Sequence, residues 1–176
     1  MNILGLNVFH ADTSACIVKN GRLLSAVEEE RFTRVKHFSG FPRNSIDFCL
    51  NEAGLSVSDI DYICVNYNKN YNFKEKFLFS VKNFYTSSFF RRAFFSLRKN
   101  SLNKFFLKNY EIDISSKVKF IPHHLAHICS TYLYNDIKED CIGFSFDGSG
   151  DFSTVEIYKL GKEIKLLEKV NYPDSL

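Results

Sequence analysis

The chain has 176 residues, 45% hydrophobic and 24% charged, with 19 Phe, nine Tyr, no Trp and a net charge of +3. That composition can bury an aromatic-rich core, which excludes a disordered chain, and the length suits one domain or one and part of a second. No run of eighteen apolar residues occurs, so no transmembrane helix is expected, and Met1 to Asn7 lacks the basic start and small-residue cleavage site of a signal peptide.

Chain order gives an α/β pattern. Ile3 to Phe9 is a first strand, Ala15 to Val18 a second and Leu23 to Val27 a third, the last two joined by the hairpin signal Asn20-Gly21. Pro42 opens a helix whose apolar positions Ile46, Cys49, Leu50 and Ala53 recur at helical spacing, with Gly54 placed to end it. Ile60 to Val65 is a fourth strand. From Tyr67 to Lys108 the texture changes, with ten Lys or Arg against one acid, Glu75. The rest of the chain holds 13 basic and 19 acidic residues, so positive charge is concentrated in one segment. Phe73, Phe77, Val81 and Phe84, then Phe90, Ala93, Phe94 and Leu97, step helically; this predicts a helical insertion over about 67–117 with its apolar side toward a core. Val118 to Ile121 is a strand, His123 to Tyr134 a helix, and Cys141 to Phe146, Ser153 to Tyr158 and Glu163 to Val170 form a second three-strand run. The layout βββαβα followed by βββ predicts an actin-like, ribonuclease-H-like fold, with a first lobe over 1–139 and the start of a second over 140–176.

Five cysteines, Cys16, Cys49, Cys64, Cys129 and Cys141, form no C-x-x-C pair, and their number is odd. They read as reduced thiols of a cytoplasmic protein rather than as disulfides or a thiolate metal site.

Four polar groupings carry candidate chemistry. His10-Ala11-Asp12-Thr13-Ser14 lies at the first turn and could offer donors to an anion, or simply serve the turn. Glu28-Glu29-Glu30-Arg31 runs into Arg34, Lys36 and His37; cations of this kind suit a phosphate, and a solvated loop is the plainer reading. His123 and His127 are four apart, hence on one helical face and able to share a metal, while His124 points about 100° away. Asp147-Gly148-Ser149-Gly150-Asp151 follows an apolar strand, as a phosphate-binding turn or an ordinary hairpin would.

In combination these groupings resemble the O-carbamoyltransferases of the nodulation-protein (NodU-like) family. His10 to Asp12, Gly21, Glu28 to Phe32, Arg34 and Lys36-His37 resemble the family's opening signature; His123-His124-x-x-His127 and Asp147-Gly148-x-Gly150 resemble its central one. The resemblance implies an enzyme that uses ATP and carbamoyl phosphate, forms a carbamoyl-adenylate and passes the carbamoyl group to a hydroxyl of a sugar or another small molecule. It implies His123, His127 and Asp147 as ligands of a divalent metal, iron or else magnesium. It implies Gly148, Ser149 and Gly150 at the nucleotide phosphates, and His10, Asp12, Arg34 and Lys36 near the carbamoyl site. It also implies a longer enzyme, with the remaining nucleotide lobe, a further metal-binding acid and a C-terminal domain beyond this chain. Asp151 stands where many members have Glu.

Two other functions compete. The tRNA threonylcarbamoyl-transfer proteins share the fold and the paired histidines, but the Glu-Glu-Glu-Arg block and the double histidine before Leu125 favour the carbamoyltransferases. A nucleic-acid or membrane-surface module built on the basic, Phe-rich insertion would suit stacking and anionic partners. The helical spacing of its Phe residues argues against that.

Overall fold

The computed structural model describes residues 1–82, 102–135, 137 and 139–174. The described residues form two compact units, one drawn from 1–66 and 102–120, the other from 67–82 and 121–174.

In the first unit, β1 (Asn2–Asn7), β2 (Ser14–Lys19) and β3 (Arg22–Glu28) are an antiparallel meander. Asn20 and Gly21 both adopt positive φ (50° and 79°), the two left-handed positions a two-residue hairpin turn requires. β4 (Tyr62–Val65) and β5 (Val118–Phe120) add in parallel beside β1, giving the sheet order β3-β2-β1-β4-β5. That order, three antiparallel strands and then a parallel pair, is the ribonuclease-H-like sheet of an actin-like α/β fold. A short helix α1 (Glu30–Thr33) follows β3, and α2 (Arg43–Ala53) lies on β2 and β3. α2 ends where Gly54 turns left-handed (φ 62°), as its position predicted. Leu4, Ile17, Ile46, Cys49, Ile63 and Val65 are fully buried and form the core.

The insertion is helical at both described ends, as α3 (Phe73–Lys82) and α4 (Leu102–Tyr110). α4 carries the expected apolar side: Phe106 is fully buried, and Phe41 stacks on Phe105 and meets Phe106 edge-on. α3 departs from expectation. Phe73, Phe77 and Val81, predicted to face a core, are 66%, 59% and 60% exposed. The helix is turned the other way: Phe79, about 200° round from Phe77, meets Phe152 and Tyr172 edge-on. The spacing specified a helix but not which side would find partners. Phe84, Phe90, Ala93, Phe94 and Leu97, and the cations Arg91, Arg92, Arg98 and Lys99, lie outside the described residues.

In the second unit, β6 (Cys141–Gly150), β7 (Ser153–Leu160) and β8 (Lys165–Asn171) form a second antiparallel meander. Helix α5 (His123–Tyr132) packs on β6 and β7 through Ile128, Tyr158 and Leu160, with Leu125 and Tyr132 alongside. Gly143 permits this approach, because a Cβ there would lie 2.9 Å from both Ile128 and Leu160. The lobe boundary read from the sequence falls at residue 139; compactness groups α5 and α3 with the second sheet. β6 also runs further than expected. It continues through Asp147 and Gly148 to Gly150 with a register shift after Phe146, and the turn residues are Asp151 and Phe152 (φ 52° and 77°).

Candidate metal centre and anion-binding loop

Helix α5 starts at His123 directly after Pro122, whose ring fixes the entry of the chain. One helical turn separates His123 from His127, and their Nε2 atoms come within 3.1 Å. The irregular stretch of β6 brings Asp147 to the same point, its Oδ2 lying 2.5 Å from His123 Nε2 and 3.9 Å from His127 Nε2. The three residues predicted as ligands therefore converge, with one ligand atom from each within 4.8 Å of the others. A divalent ion about 2.0–2.2 Å from each would set these atoms roughly 3–3.5 Å apart, so the 2.5 Å contact would lengthen and the 3.9 Å one shorten, each by about an ångström or less. Two imidazole nitrogens and a carboxylate oxygen suit a borderline divalent cation.

The electrostatics agree with that donor set. Burial, then the field of His123, hold His127 below the usual histidine range, so it stays neutral and keeps a lone pair to donate. Burial works against the charge on Asp147, but the hydrogen bond and field of His123 and the Gly148 N–H outweigh it and hold the carboxyl below its usual range.

His124 is occupied elsewhere. It is fully buried, with Nε2 3.1 Å from the carbonyl oxygen of Ser153 and Nδ1 2.8 Å from Ser145 Oγ. A carbonyl can only accept, so Nε2 carries a proton, and in the neutral ring Nδ1 accepts from the serine hydroxyl. Below it lies a polar knot around the fully buried Glu156. Ser153 Oγ donates to its Oε1 at 2.9 Å, the Tyr158 hydroxyl donates to Oε2, and Asn72 Nδ2 donates to Ser153 Oγ at 2.8 Å. Tyr71 is pushed up to about 12 by burial and by Glu156, so its hydroxyl also remains a donor.

The glycine turn divides in two. A Cβ on Gly148 would meet nothing within 4 Å, and Gly148 and Ser149 are exposed. Gly150 is buried, and a Cβ there would collide with the His123 ring, 2.6 Å from its Cγ. Gly150 thus makes room for a histidine, a use the sequence did not suggest.

In the first unit, the β1–β2 turn is tied to the loop after α1. Phe9 N–H donates to Gly40 O at 3.0 Å, and Thr13 N–H to Phe38 O at 3.2 Å. These bonds bring Asp12 Oδ1 within 2.9 Å of His37 Nδ1. His10, Arg34 and Lys36 are exposed on the same two segments. Among the described residues, the side chains of Arg34 and Lys36 make no hydrogen bond or ion pair. The hydrogen bond to Asp12 and its charge raise the pKa of His37. His37 therefore keeps its proton to higher pH than an ordinary histidine and, while protonated, adds a positive group beside Arg34 and Lys36. In an NMR titration its midpoint should lie above the usual histidine value, and Asp12→Asn should bring it back; the same midpoint in both proteins would remove Asp12 as the cause.

Glu29 is not a surface acid. It is 2% exposed, and its carboxylate accepts from Asn44 N (3.2 Å), Asn44 Nδ2 (2.7 Å), Ser45 N (2.8 Å) and Ser45 Oγ (2.7 Å). It satisfies the amino end of α2, whose own N-cap residue, Pro42, has no side-chain donor or acceptor to offer. His37, Glu29 and Asp151 all stood within the polar groupings of the sequence, but local pattern did not reveal their partners: Asp12 for His37, the start of α2 for Glu29 and the His123 backbone for Asp151.

The family model for the carbamoyltransferase N-terminus matches residues 2–176. The chain belongs to this carbamoyltransferase family. Among curated relatives, the nodulation protein NolNO of Sinorhizobium fredii (strain NBRC 101917 / NGR234) is 34% identical over 97% of this chain and 24% of its own length. An uncharacterised protein of Synechocystis sp. (strain ATCC 27184 / PCC 6803 / Kazusa) is 31% identical over 99% of this chain and 30% of its own length. This carbamoyltransferase N-terminus therefore spans less than a third of the length of either relative. Among solved structures, YeaZ from Pseudomonas aeruginosa superposes with a TM-score of 0.48 at 13% identity, over 98% of this chain and 67% of that one. No helix among the described residues is long and apolar enough to cross a membrane.

Proposed function

We propose that this chain is the N-terminal part of a cytoplasmic carbamoyltransferase that uses ATP to activate carbamoyl phosphate as a carbamoyl-adenylate. In that step water takes the phosphoryl group of carbamoyl phosphate as inorganic phosphate, and the carbamate oxygen left behind displaces pyrophosphate from the α-phosphorus of ATP. The carbamoyl group then passes to a hydroxyl of a sugar or other small molecule as AMP departs. The family match along the whole chain carries the reading, and the convergence of His123, His127 and Asp147 supports it. In this reading residues 1–139 belong to the first lobe and 140–176 open the second. Those three side chains hold a divalent ion, which supplies Lewis-acid stabilisation of phosphoryl oxygen. Two imidazoles favour iron over magnesium, which prefers oxygen ligands. Gly148 and Ser149, exposed beside the carboxylate, offer backbone N–H groups to nucleotide phosphate, while Gly150 serves the same turn by admitting His123. Arg34, Lys36 and the Asp12-supported imidazolium of His37 receive the anionic donor, with His10 beside them.

The test uses this chain in place of the matching quarter of the Sinorhizobium fredii relative. Pyrophosphate release should require ATP, carbamoyl phosphate and a divalent ion together; release that ignores carbamoyl phosphate would refute the reading. Lys36→Ala should raise the KM for carbamoyl phosphate with little change for ATP. One charge-assisted contact is worth roughly 1.5–3 kcal/mol, about 10- to 150-fold. Equal KM values in mutant and parent would reduce Lys36 to a surface cation.

A further inference from the structure

We infer that the tip of the β6–β7 hairpin is a seat for His123, with Asp151 a positioning residue that aims this imidazole at the metal point. The inference rests on the metal reading above and concerns how the chain prepares that centre. His123 opens α5, so its backbone N–H has no acceptor within the helix, and Pro122 before it has no side chain able to accept. Asp151, 28 residues away, supplies the missing acceptor: its Oδ2 lies 2.9 Å from His123 N. The same oxygen accepts from Asn68 N at 2.8 Å. One carboxylate atom thus joins the first residue of α5 to the segment that leads into α3. The backbone of Asp151 is held in turn, because Asn72 Nδ2 lies 3.3 Å from its carbonyl oxygen and 2.8 Å from Ser153 Oγ. The adjacent residue fits the ring itself, since Gly150 leaves the space that His123 occupies.

Three consecutive features of one strand end therefore hold one histidine. Asp147 meets its Nε2, Gly150 gives its ring a place, and Asp151 anchors its backbone. A ligand whose backbone and ring are both fixed before the ion arrives loses little entropy on binding, the usual advantage of outer-sphere support. Asp151 also needs its left-handed φ of 52° to turn its carboxylate back toward α5, a conformation that asparagine and aspartate tolerate better than most residues.

The inference is tested by titrating the chain with Co²⁺ alone and following the visible absorption of the bound ion. Asp151→Ala should weaken Co²⁺ binding at least tenfold, the lower end of the effect seen when a ligand's outer-sphere partner is removed. Asp151→Asn keeps an oxygen in the same place and should stay within about threefold of the parent, because asparagine caps helices as well as aspartate does. Hydrogen exchange at the His123 amide gives an independent reading: protection should be present in the parent and the Asn variant and lost in the Ala variant. If Asp151→Ala has no cooperative melt, Gly150→Ala takes its place, since its added methyl displaces the ring and should also weaken Co²⁺ at least tenfold. A parent chain that binds no Co²⁺, either alone or within the full-length chimera described above, would refute the metal reading itself. A parent that binds, with a folded Asp151→Ala or Gly150→Ala variant binding equally well, would refute the seat and leave the metal reading standing.

Discussion

His123→Ala or His127→Ala is expected to abolish stoichiometric binding of a divalent ion, whereas His124→Ala leaves the ion bound. The proposed centre brings together three candidate ligands among the described residues, so either change would leave two. Apparent binding energies of about 10–16 kcal/mol for four-ligand zinc sites imply roughly 3 kcal/mol per ligand, a loss of more than a hundredfold. Dialysis would then strip the ion. His124 sits between the two ligands in sequence but has spent both nitrogens, one as donor to Ser153 O and the other against Ser145 Oγ. Its removal costs stability instead. A buried ring is lost and two polar groups are orphaned, a penalty of about 2–4 kcal/mol. Metal content should therefore be measured on the folded fraction, well below the melting transition. Equal metal loss in all three variants would sink the assignment of His124 to the fold and of its neighbours to the ion.

The contrast among these histidines shows what local pattern can and cannot reveal. A four-residue spacing places His123 and His127 on one side of a helix, whatever surrounds that helix. The short apolar runs of the first three strands, the Asn20-Gly21 turn and the Gly54 stop are of the same kind, because each is decided within a few residues of chain. The burial of α3 was not decided that way. Phe73, Phe77 and Val81 satisfy helical spacing as well as any core stripe, yet the side carrying Phe79 met Phe152 and Tyr172. The strand end was misread for a related reason. Asp147-Gly148 is a strong turn signal, but pairing with β7 carried β6 past it and moved the turn to Asp151 and Phe152. Asp12 with His37, Asp151 with His123 and Glu29 with α2 are all partners across 15 to 28 residues. Such pairs leave no period in the sequence, and only the folded backbone brings them into register.

The second large effect concerns Glu29, the middle acid of a run that reads as solvated surface. Glu29→Ala is expected to destabilise the first unit by about 3–5 kcal/mol, the usual result of removing one partner from a buried charged network. Two forces oppose each other at this residue. Burying a carboxylate is costly, and its four hydrogen bonds, two from backbone and two from side chains of Asn44 and Ser45, offset that cost. The position adds to the balance, because a negative charge at the amino end of α2 meets the positive end of the helix dipole. Alanine removes the acceptor and leaves four donors without a partner in a site too buried for water to replace it freely. Glutamine is the informative comparison. It keeps one oxygen but turns an NH₂ group toward donors, so it should lose at least half of the alanine effect despite its matching shape. With a urea m-value of about 1–3 kcal/mol/M, the alanine change should lower the denaturation midpoint by more than about 1 M. Because α2 covers β2 and β3, the loss should appear as earlier unfolding of that sheet, read by hydrogen exchange at Ala15 and Ile17. A midpoint shift equivalent to less than about 1 kcal/mol for Glu29→Ala would mean that water reaches the vacated site, and the acidic run would return to being surface charge.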